Sequence, residues 1–138
     1  MARILAVDFG EKRIGLATSD ASGTLATPRR TVVRKDDGDA AERLRRFCEE
    51  EEVELVIFGI PRSPEGAESP FAARIRSFAG KFAAAAGLPV VFHEETLTSD
   101  EAARRTGARR GASLDPVAAA VLLEDFLAHR AEAGKARG

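Results

Sequence analysis

Tryptophan and tyrosine are missing from this chain, and cysteine and methionine occur once each among 138 residues. Its aromatic side chains are eight phenylalanines, a poor basis for the stacking platform of a single-strand nucleic-acid binder. A lone cysteine, Cys48, excludes an intrachain disulfide. Its helical spacing from Leu44 and Phe47 predicts a buried, reduced thiol. Pairs of His and Cys of the kind zinc requires are also lacking. No apolar run approaches the ~18 residues of a membrane span. The start, MARILAVDFG, enters a strand-like run without a signal-peptide core or cleavage site, so the expected location is cytoplasmic, with no membrane partner. An excess of one charge is absent too, since 21 Lys and Arg face 22 Asp and Glu for a formal net charge of -1. That balance argues against bulk electrostatic binding of nucleic acid and requires any phosphate contact to be local. Two local basic clusters exist, Arg29, Arg30, Arg34 and Lys35, and Arg104, Arg105, Arg109 and Arg110, and solvated faces are the plain reading of each taken alone.

What is present is an ordinary globular composition, 44% hydrophobic and 31% charged, at a length that suits one core. One domain is expected over residues 1–138, with a frayed tail at 131–138. RILAV at 3–7 and IGLAT at 14–18 read as strands joined by a charged turn, and TLATPRRTVV as a third, with Pro28 suggesting an edge. Asp39 can cap a helix bearing Ala40, Leu44, Phe47 and Cys48 and ending near Glu52. ELVIFG at 54–59 has the continuous apolar run of a strand covered on both faces. GIPRSPEGAESP is an irregular loop. A helix over 70–86 carries Phe71, Ile75, Phe78 and Phe82 and ends at Gly87. LPVVFH at 88–93 reads as another buried strand. A short helix over 99–105, a flexible GARRGAS link and a last helix from Asp115 and Pro116 complete the chain. This order gives an α/β, ribonuclease H-like five-stranded mixed sheet, three antiparallel strands then two parallel ones, with helices on both faces.

Three acids stand where that topology concentrates ligand sites. Asp8 closes the first strand, expected to be central, and a carboxylate there faces water, a cap or a cation, because burying it unpaired is costly. Glu95 follows the fifth strand at the same carboxyl edge. Its neighbour Glu94 is the rival, since alternation sends only one of the two toward Asp8. Asp115 has a plain role at a helix start that is compatible with completing the cluster. Taken singly, each acid has an ordinary explanation as turn, loop or cap. Together they make a hard-oxygen site suited to Mg²⁺ or Mn²⁺, and two ions would offset the mutual repulsion of the acids.

VDFGEKRIGLA at 7–17, FGIP at 58–61 with Gly66, HEETLTS at 93–99 and SLDPVAAAVLLEDFL at 113–127 together resemble the motifs of the YqgF/RuvX family. That family is known as Holliday junction resolvases and is also assigned to maturation of pre-16S rRNA. The resemblance spans nearly the whole chain. It implies the ribonuclease H-like fold, a metal-dependent hydrolase acting on phosphodiester bonds, and Asp8, Glu95 and Asp115 as both catalytic and metal-binding positions. The chain departs from the family pattern at Thr96, where an Arg is common, and at Ser63 to Glu65, where Asn and Asp are usual. Arg62 or Arg13 can substitute for the missing Arg, with Lys12, Arg109 and Arg110 as further phosphate contacts.

Three functions follow as expectations. The first is a nuclease maturing the ends of pre-16S rRNA in ribosome biogenesis, with rRNA precursor or ribosomal particles as partners. The second is a junction-resolving DNA nuclease, which needs a two-fold homodimer. The third is a non-catalytic nucleic-acid-binding assembly factor.

Overall fold

The computed structural model describes residues 3–62, 68–95 and 115–137, with side chains to 132. Eight elements follow the expected order: β1 (Arg3–Asp8), β2 (Arg13–Ser19), β3 (Ala26–Val33), α1 (Asp37–Glu50), β4 (Val53–Pro61), α2 (Pro70–Ala86), β5 (Val90–Glu95) and α3 (Asp115–Arg137). The five strands form one sheet in the order β3-β2-β1-β4-β5. β1 pairs antiparallel with β2 and β2 with β3, whereas β4 runs parallel to both β1 and β5. β1 is therefore central, and β3 is an edge strand that accommodates Pro28 beside a register shift between Leu16 and Ala17.

Alternation along the strands separates two cores. Leu5, Val7, Phe9, Ile14, Leu16, Val56 and Phe58 face α1 and α2, while Ile4, Ala6, Ala17 and Ile57 face α3. The larger core is built on phenylalanine. Phe9 and Phe78 stack with centroids 4.9 Å apart, and Phe58 meets Phe78, Phe82 and Phe92 at 6.1 to 6.2 Å. Such offset and edge contacts add about 0.5–1.5 kcal/mol per pair beyond the area they bury. Cys48 is buried in this layer as expected, and burial pushes its thiol up to about 12. Ser19, buried on the α3 side, accepts a 2.9 Å hydrogen bond from the Ile4 amide.

Several expectations need correction. The cap of α1 is Asp36, whose carboxylate accepts from the Asp39 amide at 2.8 Å, so the helix starts two residues before Asp39 and stops at Glu50 rather than Glu52. β5 is the other edge of the sheet, and its residues are half-buried or exposed rather than fully covered. It also runs on through Glu95 instead of ending at His93. The last helix is described as far as Arg137. The short helix expected at 99–105 and the GARRGAS link lie outside the described residues. Among the described residues, no helix is long and apolar enough to cross a membrane.

Candidate active site

Asp8 shares the parity of Ile4 and Ala6, so its side chain projects to the α3 side of the sheet. On that side its strand neighbours are both glycines. Gly15 on β2 is its direct partner, and Gly59 on β4 follows Phe58, the partner of Val7. A glycine inside a strand often marks a place where something approaches the backbone closely. Each of these two is occupied by another of the acids. A Cβ at Gly15 would overlap the Asp115 carbonyl group and lie 2.8 Å from Asp115 Cβ. At Gly59, a Cβ would lie 2.5 Å from Glu95 Oε1 and 3.1 Å from Leu122 Cδ2.

The three acids therefore stand side by side over β2, β1 and β4 at one rim of the sheet. Neighbouring strands are about 4.8 Å apart, which confines the cluster to roughly two strand spacings. Asp8 and Asp115 are only 4% and 5% exposed. Glu95, on the edge strand, is half-buried and reaches back over Gly59 from a position opposite Pro61. Asp115 is the first residue of α3, so the start of that helix sits against the sheet rim beside Gly15. Between the rival glutamates, alternation resolves the choice. Glu94 is exposed and its Oε2 lies 3.7 Å from Arg62 Nε, while Glu95 turns to Gly59.

Among the expected phosphate contacts, Lys12 and Arg13 are exposed at the β1–β2 turn, on the same rim as Asp8. Arg62 is exposed just beyond β4, and its amide donates to the Glu95 carbonyl at 2.8 Å. Arg109 and Arg110 lie outside the described residues, as do Thr96 and Ser63 to Glu65. Arg34, read from sequence as part of a basic cluster, is internally committed. It donates to the Glu11 carbonyl at 2.6 Å and to Asp37 Oδ1 at 3.1 Å.

That arginine belongs to a network which sequence reasoning missed. Arg74 bonds both carboxylate oxygens of Asp37 at 2.7 and 2.8 Å, lies 3.1 Å from Glu11 and sits 5.1 Å over the Phe9 ring. Hydrogen bonding from Arg74 is the main reason the Asp37 carboxyl lies below its ordinary range. The network ties α1 and α2 to the segment that follows Asp8, so it steadies the rim without entering it. Its residues are scattered at 11, 34, 37 and 74, and no spacing in the sequence joins them. The two cradle glycines stand between apolar strand neighbours, Ile14 and Leu16 about Gly15 and Phe58 and Ile60 about Gly59, and sequence reasoning passed over them as well.

The chain's similarities agree with this architecture. Residues 2–129 match the family model of RuvX, described as Holliday junction resolvase. A Streptomyces avermitilis protein named "Putative pre-16S rRNA nuclease" is 40% identical, over 99% of this chain and 92% of its own length. One of the same name from Thermosynechococcus vestitus is 37% identical, over 99% and 94%. In three dimensions, Thermus thermophilus RuvC, solved with a Holliday junction substrate, superposes with a TM-score of 0.58 at 17% identity, covering 94% of this chain and 96% of that one. The fowlpox virus Holliday junction resolvase gives 0.54 at 16% identity. These two structures share the fold.

Proposed function

Because the chain belongs to the RuvX family, we propose that it is a divalent-metal-dependent nuclease hydrolysing phosphodiester bonds at the rim formed by Asp8, Glu95 and Asp115. The observation that carries this reading is the glycine cradle, in which Gly15 and Gly59 give up their side chains to the two acids flanking Asp8. Ordinary packing has no need to gather three carboxylates in this way, and their mutual repulsion opposes it. The donor set is all carboxylate oxygen, which fits Mg²⁺ or Mn²⁺, and Asp8, Glu95 and Asp115 would hold one ion or a pair. When bound, such ions supply an activated water and charge stabilisation for the leaving oxygen.

The protein's own groups do the rest. Burial of Asp8 and Asp115 keeps bulk water from competing with ligands at the rim and strengthens electrostatic interactions there. Lys12, Arg13 and Arg62 provide exposed cationic groups around the rim for the phosphates flanking the scissile bond, with Arg109 and Arg110 completing the proposed substrate contacts. No side chain has to act as nucleophile, because water adds to phosphorus as the P–O bond breaks.

The substrate we assign is the pre-16S rRNA end, in line with the names of relatives at 40% and 37% identity over nearly the full chain. Cleavage of a four-way DNA junction is the second reading, favoured by the description of the family model. One experiment separates them. Labelled rRNA precursor and a four-way junction are each incubated with the protein and Mn²⁺, beside Asp8→Asn. The expected result is RNA cleavage that the variant loses while its circular dichroism is unchanged. Junction cleavage alone, accompanied by a dimer, would move the assignment to DNA. Absence of any cleavage would remove the nuclease reading and leave a binding factor, and full turnover by Asp8→Asn would remove Asp8 from the mechanism.

A further inference from the structure

We propose that His93, Asp125 and His129 form a second cation site, separate from the carboxylate rim and suited to a borderline transition-metal ion of the Zn²⁺ type. His93 comes from β5 and the other two from α3, so a bound ion would tie the edge strand to the helix covering it. His93 Nε2 lies 2.6 Å from Asp125 Oδ2, and His129 Nδ1 lies 3.6 Å from Asp125 Oδ1. One ligand atom from each residue falls within 4.8 Å of the others. Two imidazole nitrogens and one carboxylate oxygen are the donors of a three-ligand zinc site with an open fourth position. This set differs in kind from the all-oxygen rim, so the two sites would select different ions.

The ligands are held without being closed off. Asp125 and His129 are four residues apart on a helix and so share a face. The ring of His93 meets Phe126 edge-on at 5.9 Å and His129 at 5.2 Å. His93 is largely covered, with 14% of its side chain exposed, whereas Asp125 and His129 are 51% and 66% exposed. An ion can therefore arrive from solvent, and the outer ligands can adjust around it. His129 Nδ1 currently bonds the Asp125 carbonyl at 2.9 Å, a contact it would exchange for the ion. The plain alternative is that His93 and Asp125 form only a hydrogen bond anchoring the helix, in which case no metal is taken up. Sequence alone hides this set, because its histidines are 36 positions apart and only the β5–α3 packing brings them together.

The test uses the full, metal-free chain and Zn²⁺ alone, followed by calorimetry, with Co²⁺ absorption reporting nitrogen ligation. Asp8→Asn removes an acid of the carboxylate rim, so titrating that variant with and without His129→Ala isolates the new site. One Zn²⁺ per chain is expected in Asp8→Asn, with affinity reduced at least about tenfold by adding His129→Ala. His93→Gln should do the same. Repeating the His129→Ala comparison in the unmodified background, read as loss of one Zn²⁺ per chain, keeps the test independent of how Asp8→Asn folds. Equal binding with and without His129, or no Zn²⁺ uptake by a folded Asp8→Asn chain, would overturn the proposal. Neither outcome bears on nucleic-acid cleavage.

Discussion

At Gly15, an added Cβ would run into main-chain atoms of Asp115, which have no rotamer to retreat into. Gly15→Ala must therefore push the start of α3 off the sheet, and we expect a loss of about 1–3 kcal/mol, typical of overpacking. At Gly59, the nearest atoms are the ends of Glu95 and Leu122, both of which can swing away. Gly59→Ala should cost less than about 1.5 kcal/mol yet displace the Glu95 carboxylate and reduce metal-dependent cleavage. Urea midpoints together with cleavage rates check the pair, and equal stability losses would show that the two glycines are not distinguished in this way. A common edge for residues 8 and 95 is legible in the sequence from strand order and the carboxyl-edge rule, whereas residue 115 joins them there only as a compatible helix start and through the family resemblance. The means by which they meet is not legible. It depends on which side chains are absent at positions 15 and 59, and a pattern search for chemistry passes over glycine.

For α1, the sequence KDDGD offers three aspartates as caps, and periodicity alone does not choose among them. Asp36 wins because its extended backbone lets its carboxylate accept from the Asp39 amide, which leaves Asp39 inside the first turn. Asp36→Ala should cost about 1 kcal/mol, whereas Asp39→Ala forfeits an exposed i,i+4 contact with Arg43 worth about 0.2–0.5 kcal/mol. Thermal denaturation of both variants decides the order. Between α1 and α2, the Asp37–Arg74 bond makes helix packing sensitive to acid. Asp37 is held below its ordinary value, so its contribution is complete above the unfolded carboxyl value of about 3.9. It is lost as pH falls through the lower folded value. Asp37→Asn should therefore be less stable than the parent near neutrality, with the gap closing below about pH 4. A gap constant from pH 7 to acid would show that the bond does not couple to protonation. Element order was readable from apolar runs and turn residues, whereas the half-exposed edge position of β5 depends on what lies beside it in the sheet.

Across the whole molecule, the charges almost cancel, at 21 basic against 22 acidic residues, yet three acids are concentrated at one rim. Their repulsion is borne by contacts on both sides, the α3 start against Gly15 and the β5 end against Gly59. An ion held there would join β1, β5 and α3, which come from the beginning, middle and end of the chain. The unfolded chain cannot present these acids together, so binding should favour the folded state and raise its stability by mass action. At an ion concentration 100-fold above Kd the gain is about 2.7 kcal/mol, corresponding to roughly 10 °C in Tm for a chain of this length. Mn²⁺ or Mg²⁺ should thus raise the melting temperature in proportion to the logarithm of its concentration, and EDTA should reverse the shift. In Asp8→Asn the repulsion is relieved and a ligand is lost, so this variant should melt no lower than the metal-free parent and show little response to either ion. A parent chain whose melting is unmoved by saturating Mn²⁺, or an Asp8→Asn chain that responds as strongly as the parent, would mean that the rim does not gather a cation.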